Sequence, residues 1–333
     1  MKKVLSLILA LAMVFALAAC GEKQPSNDGN TDGDKLARGN VIMTFGTADT
    51  GGSMYPAGAA VSQVWTNNVQ GVKCNTQTST GSFQNCQDVS TGEVDVAVAT
   101  SDVVLNAYNG TGKFADIGKL DNLRVIGAVY TSVLSGVALK SSGLTYIHEL
   151  LGKRVAVGPA ASATENATLA AFDAMGIDSS NTSLENLGLG DGADSVGDGI
   201  LDAAFGFAGL PIGGQLNLAA TKEIQVLDMT QEEIDKVLAG NAAYIQTKIP
   251  AGTYTGQDND ANTFGVKCLI IVTADMDADL VYDLCKAMNE HTEELAAGNA
   301  LLKDMTDPSF LCTQMPIPLH DGAQKYYSEQ GLI

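Results

Sequence analysis

Residues 41–65 read VIMTFGTADTGGSMYPAGAAVSQVW. Val41, Ile42, Met43 and Phe45 make a short apolar run that stops at Gly46, so a strand is expected over 41–46. A Gly-rich turn follows. Tyr55, Ala59, Ser62 and Trp65, with Val61 and Val64, then recur at the spacing of one helix face. Strand, small-residue turn and helix together form the repeating unit of an α/β fold.

The pattern continues outward along the chain. Strands are expected over 72–78, 94–99, 123–130, 133–139, 154–157, 201–207, 224–227 and 264–272. Helices are expected over 83–89, 102–108, 164–175 and 231–238, with one long amphipathic helix over 280–295. This alternation implies α/β architecture with mostly parallel sheets flanked by helices. The strands near 130 and 265 stand where a chain could cross between lobes. Residues 40–132 and 263–333 would form lobe 1 and residues 133–262 lobe 2, with a hinged cleft between them.

The N-terminus sets the compartment. Lys2 and Lys3 precede an apolar run from Val4 to Leu17, interrupted only by Ser6, which ends Leu17-Ala18-Ala19-Cys20. A charged start, a short apolar core and small residues before a cut make a secretory signal over 1–19. The small-small-Cys ending resembles a bacterial lipoprotein signal, in which Cys20 carries the lipid. Residues 21–39, GEKQPSNDGNTDGDKLARG, hold too little apolar surface to offset their ordering entropy. Residues 20–39 are therefore expected to be a lipid-anchored flexible tether. Asp28, Asn30, Asp32 and Gly33 imitate a calcium loop, but Gly39 stands where the closing Glu belongs. Asp258, Asp260 and Asn262 fail the same test, with Thr263 in place of Gly. No metal site and no cofactor are expected.

Composition narrows the function further. The chain is 45% hydrophobic and 17% charged, as a globular fold requires, and its net charge is −19. Without Lys2 and Lys3 it has 17 basic against 38 acidic residues, and its arginines are Arg38, Arg124 and Arg154 alone. Phosphate binding needs clustered Lys and Arg, so no nucleic-acid partner is expected. Cys74, Cys86, Cys268, Cys285 and Cys312 remain once Cys20 is assigned to the anchor, and no CxxC pair occurs. A bridge between Cys74 and Cys86 is an option, but buried free thiols are the simpler expectation.

Three polar turns lie between a strand and a helix: Thr50-Gly51-Gly52-Ser53-Met54-Tyr55, Ser79-Thr80-Gly81-Ser82-Phe83-Gln84-Asn85, and Gly158-Pro159-Ala160-Ala161-Ser162-Ala163-Thr164-Glu165. In an open α/β sheet such turns meet a ligand, and the N–H groups of the following helix favour an anion. Small residues and Ser or Thr also suit turns and caps for purely structural reasons. Gly188-Leu189-Gly190-Asp191-Gly192-Ala193 has dinucleotide-fingerprint spacing, but only a weak strand precedes it, and it is read as a loop. No GxSxG elbow, phosphate loop or HExxH motif is present, and His148, His291 and His320 are far apart. An enzyme is not expected.

With these segments placed, the chain resembles the TAXI family, the substrate-binding proteins of one branch of tripartite ATP-independent periplasmic (TRAP) transporters. The resemblance runs from Val41 to Gly331. It rests on Thr50-Gly51-Gly52 with Tyr55-Pro56, on Gly81-Ser82 with Asn85, and on Gly92-Glu93-Val94-Asp95-Val96-Ala97 with Ser101-Asp102. It continues in Leu151-Gly152-Lys153-Arg154, Ala208-Gly209-Leu210-Pro211 and Ile317-Pro318-Leu319-His320-Asp321-Gly322-Ala323. Met54 departs from the family's usual second Tyr, Thr100 from a common Gln, and Ala161 and Ala163 from glycines beside Ser162.

The resemblance implies a two-lobed periplasmic-binding-protein fold and a solute-binding lipoprotein on the outer face of the cytoplasmic membrane. Such a protein delivers a glutamate-like amino acid or dicarboxylate to ion-gradient-driven TRAP membrane subunits, and it is expected to be a monomer. A lipoprotein that senses a ligand and signals to a receptor is the alternative. Candidate ligand contacts are Gly52, Ser53 and Tyr55, then Thr80, Gly81, Ser82 and Asn85, then Ser162, Thr164 and Glu165. Ser101 and Gly209 are added from the family motifs. Arg124 and Arg154 each precede a strand and so belong at its amino end, away from these turns. Cys20→Ala is expected to release the protein into the medium or leave it uncleaved in a fractionation assay. Unchanged membrane attachment would contradict the anchor.

Overall fold

Leu123–Leu139 (β4) and Ala261–Thr273 (β10) are long strands that pair antiparallel, with Val133 opposite Gly265 and Leu123 opposite Thr273. Apart from residues at the ends of each strand, nearly every side chain in them is buried. Strands covered on both faces read as continuous apolar runs, and these do. The computed structural model describes residues 40–50 and 52–333, so the expected signal peptide, Cys20 and the whole of the expected tether lie outside the described residues.

Two wings extend from this central pair. On one side β10 pairs with Val96–Thr100 (β3), which leads to Val41–Gly46 (β1) and then Val72–Gln77 (β2). On the other, β4 pairs with Ala203–Ala208 (β7), which leads to Arg154–Ala156 (β5) and Ser183–Glu185 (β6). Ile224–Val226 (β8) pairs with the end of β4, and Ile245–Ile249 (β9) with the start of β10. Pairing among β1, β2 and β3, and among β5, β6 and β7, is parallel. Every strand that β4 or β10 pairs with runs antiparallel to it, and a single parallel bridge joins Val125 to Leu319, so the sheet is mixed.

The helices are Met54–Asn68 (α1), Ser82–Thr91 (α2), Ser101–Asn109 (α3), Ala163–Ala174 (α4), Leu189–Gly197 (α5), Gly213–Thr221 (α6), Gln231–Gly240 (α7), Ala278–Glu290 (α8), Thr292–Gly298 (α9), Pro308–Cys312 (α10) and Asp321–Glu329 (α11). Trp65 of α1 is fully buried, stacks on Phe45 at 5.4 Å, and donates from Nε1 to the Leu284 carbonyl at 3.0 Å. It ties α1 to β1 and α8, and its truncation to Ala would cost about 3–5 kcal/mol. The C-terminal segment docks on β4: His320 N–H donates to Val125 O at 2.9 Å, and the Tyr327 hydroxyl to Ile126 O at 2.9 Å. These bonds tie the motif from Ile317 to Ala323 and the helix after it to the centre of the sheet.

Four expectations change. The two strands expected over 123–130 and 133–139 are one, because Thr131 and Ser132 stay in register with Lys267 and Val266 and continue the ladder. The helix expected over 280–295 is broken at His291, which is both the end of α8 and the start of α9. The motif Gly188 to Ala193 is not a loop: Gly188 caps α5. The strands β6 and β9 and the helices α5 and α6 carry too few or too scattered apolar residues to be read from periodicity.

Cys74, Cys86, Cys268, Cys285 and Cys312 are free, and no bridge joins Cys74 to Cys86. Burial pushes the Cys74 thiol up to about 11 and that of Cys268 to about 12. Glycine is required where β4 and β10 cross: a Cβ on Gly265 would meet Ser132 O at 2.5 Å. The turn before α4 instead holds an alanine in the left-handed region, Ala161 at φ 60°. That conformation costs an L-residue roughly 1–2 kcal/mol, while Gly adds about 0.4–1 kcal/mol of unfolded-state entropy. Ala161→Gly is therefore expected to stabilise the fold by about 0.5–1 kcal/mol, raising Tm by about 1–3 °C in calorimetry. A fall in Tm would show that the turn is not strained.

Candidate functional site

Five strand ends meet at one place. The carboxyl ends of β1, β2, β5 and β6 each run into a turn that starts a helix, and the end of β7 lies beside them. These ends enclose a cavity of about 320 Å³. Ala48, Asp49, Gly52, Ser53 and Met54 line it from the first turn, and Ser79, Thr80, Gly81 and Ser82 from the second. The third turn gives Pro159, Ser162, Ala163 and Thr164, and the fourth Gly188 and Leu189. Phe207 and Ala208 of β7 and Tyr130 of β4 complete the wall. The carboxyl edge of parallel strands is where an open α/β sheet binds ligands.

Helices α1, α2, α4 and α5 begin at this cavity, capped by Ser53, Gly81, Ser162 and Gly188. The first N–H groups of a helix have no partner within it, and its macrodipole places roughly half a positive charge there. Gly81 adopts φ 115°, a conformation that an L side chain resists and that starts α2 abruptly. Among the described residues lining the cavity, Asp49 is the only charged one. Attraction for an anion here would have to come from the backbone N–H groups.

The hydroxyls are held in fixed roles. Ser162 Oγ accepts from Glu165 N–H at 3.1 Å and caps α4. Thr164 Oγ1 accepts from Phe207 N–H at 3.1 Å and fixes α4 against β7. Ser82 Oγ accepts from Thr100 N–H at 3.1 Å and lies 3.3 Å from Thr100 Oγ1, joining α2 to β3. Ser53 Oγ donates to Gly209 O at 3.3 Å, across the cavity's mouth. Thr80 donates from both N–H and Oγ1 to Gln84 Oε1.

Of the expected contact residues, Gly52, Ser53, Thr80, Gly81, Ser82, Ser162 and Thr164 are thus brought together. Five are placed elsewhere. Asn85 is fully buried, and its amide donates to Thr47 O at 2.6 Å and Val98 O at 2.7 Å, locking β1 to β3. Glu165 accepts from Ala161 N–H at 2.8 Å and from Asn186 at 3.0 Å and pairs with Lys113. Burial opposes its ionisation, yet Lys113 and these donors hold its carboxyl below the usual range. Tyr55 sits half-buried in the first turn of α1 without lining the cavity. Ser101 lines a separate recess beside Lys267 and Met315. Gly209 contributes its carbonyl to Ser53, and a Cβ there would overlap Leu301.

Gly188, Leu189, Phe207, Ala208 and Tyr130 were not expected at the site. Gly188 carried the signal in its G-x-G-x-x-A spacing, but β6 ahead of it spans three residues with no buried one. Arg124 and Arg154 both stay out of the lining, as their positions before strands implied. Arg154 pairs with Asp202 at 2.9 Å, and Arg124 donates to the Asp121 and Leu123 carbonyls. The histidines are scattered: His148 meets Glu233 at 2.7 Å, His291 meets Glu294 at 3.0 Å, and His320 caps α11. Among the described residues, no group of three His, Cys, Asp or Glu side chains could hold a metal ion.

The fold is shared with known solute-binding proteins. The chain is similar to PhnD1 from Prochlorococcus marinus (MIT 9301), solved in complex with methylphosphonate, at 11% identity over 88% of this chain and 99% of that one, with a TM-score of 0.53. It is also similar to the alkanesulfonate-binding protein SsuA from Xanthomonas axonopodis pv. citri, bound to MOPS, at 14% identity over 88% of this chain and 85% of that one, with a TM-score of 0.50. At such identity the likeness is one of fold, the α/β periplasmic-binding-protein architecture with a mixed sheet flanked by helices. Residues 45–331 match the NMT1-like family, and the chain belongs to that family.

Proposed function

We propose that this chain is an extracytoplasmic solute-binding lipoprotein of the TAXI type. In this reading it captures a small acidic solute, a glutamate-like amino acid or a dicarboxylate, and delivers it to an ion-gradient-driven TRAP permease. It acts as a monomer tethered through Cys20 to the outer face of the cytoplasmic membrane, and it is not an enzyme. The observation that carries the reading is the convergence of four helix N-termini on one cavity that, among the described residues, no Lys, Arg or His lines. Such a site suits an anion held by backbone N–H groups.

A hinged cleft completes the proposal. One buried apolar cluster draws only on residues within 40–132 and 263–333, another only on residues within 133–262, and a third runs through both regions along β4 and β10. The chain passes between these regions in β4 and β10, where Val133 faces Gly265. Hinges at 130–134 and 261–265 would let one region swing over the other. The cavity takes its walls from both, with Gly52 and Ser82 on one side and Ser162 and Leu189 on the other. A ligand touching both sides favours the closed form by its differential affinity.

The energies suffice for capture. Each helix terminus contributes about 0.3–1 kcal/mol, and each charge-assisted hydrogen bond about 1.5–3 kcal/mol. A few of these reach micromolar affinity, about −8 kcal/mol, without a cationic side chain. Mass spectrometry of the molecule carried through native purification is expected to identify an organic acid. With that molecule in calorimetry, Arg124→Gln should bind as wild type does, while Ser82→Ala, checked for native circular dichroism, loses about tenfold or more. If Arg124→Gln abolishes binding in a folded protein and Ser82→Ala does not, the anion is held by the arginine and the proposal fails.

A further inference from the structure

Asp102, the second residue of α3, is fully buried and lies outside the cavity lining. Its Oδ2 accepts from Asn166 Nδ2 at 2.8 Å and from the Tyr244 hydroxyl at 3.1 Å. Both partners belong to the stretch 133–262, while Asp102 belongs to the other region. Its Oδ1 is buried without a hydrogen-bond partner. A buried carboxyl with one satisfied oxygen, one orphaned oxygen and no cation beside it is an unusual component of a structural contact.

This contact connects to the cavity. Thr100 lies two residues before Asp102, its hydroxyl beside the carboxyl, and both its N–H and its hydroxyl engage Ser82 Oγ in the cavity wall. On α4, Asn166 follows Glu165, whose pairing with Lys113 also crosses between the two regions. We propose that Asp102 is a positioning residue for closure, that its carboxyl docks 133–262 onto the rest of the chain, and that it makes closure stronger in acid than in base. The proposal rests on the hinged-cleft reading above.

The direction follows from the surroundings. Three titratable groups face Asp102: the Tyr244 hydroxyl and the thiols of Cys86 and Cys268. Burial pushes all three upward, so each stays neutral through the physiological range, and none supplies a counter-charge. Burial likewise raises the Asp102 carboxyl, outweighing the hydrogen bonds from Tyr244 and Asn166 that pull it down. Opening the cleft would expose it and return it toward an ordinary aspartate value. Closing therefore favours the protonated form, and its contribution is lost as pH climbs through the raised closed-state value.

Small-angle scattering of the full chain, stripped of solute, tests this from about pH 5 to about pH 8.5. Wild type is expected to gain on the order of 1 Å over the roughly 19 Å radius of gyration of a compact chain this size as pH rises. Asp102→Asn, an isostere that cannot ionise, should stay compact throughout. Tyr244→Phe removes one donor from the closed form only and should open at lower pH than wild type. Wild-type size independent of pH, or Asp102→Asn following the wild-type curve, would overturn the proposal. No shift for Tyr244→Phe would remove the tyrosine from it. None of these outcomes bears on whether a solute is bound, which the mass spectrum decides separately.

Discussion

The antiparallel ladder between β4 and β10 is the constraint on which the other parts of the molecule depend. It is nearly all buried, it carries both wings of the sheet, and the C-terminal segment packs onto it through Val125 and Ile126. Each of the two strands carries one wing, β10 through β3 and β4 through β7, so the ladder between them is what joins the wings. A change that weakens the ladder would loosen both wings and the relation between them. The same ladder carries register shifts at Cys268 and Ile270, and a glycine at Gly265 where the backbones approach too closely for any side chain. Bulges of this kind raise local twist, which turns the carboxyl ends of the two sets of parallel strands toward a common space.

Four helix N-termini face that space, and no described side chain around it is cationic. The chain carries a net charge of −19, and the described residues around the cavity include Asp49. Four helix starts supply N–H groups in fixed directions, and the hydroxyls around them are already engaged in holding helix to strand. A wall fixed in this way loses little entropy when a ligand arrives. Leu189, Phe207 and Tyr130 supply the apolar part of the lining.

Much of this was legible along the chain. Strand β1, helix α1 and the three turns 50–55, 79–85 and 158–165 were readable from spacing and turn chemistry, and all three turns contribute to the cavity. Other features left no local trace. Asn85 looked like a ligand contact because it follows Gly81-Ser82, yet its amide serves two carbonyls that lie 38 and 13 residues away. Glu165 looked equally suited, until Lys113 and Asn186 were placed beside it. Strand β6 is three residues with no buried one, too short for a period to register.

The sequence by itself determined the α/β class, the alternation of strand and helix, and the small-residue turns that let a backbone approach a ligand. Those properties are local, set by side-chain periodicity and by what glycine, serine and threonine do to a few successive dihedrals. Only the tertiary structure decided which turns share a cavity, which of their polar side chains are committed to holding the wall, and that Asp102 meets Asn166 and Tyr244. Each of these depends on pairing between segments tens to more than a hundred residues apart. No local pattern encodes such a pairing, because the free energy that selects it comes from burying all the strands and helices together.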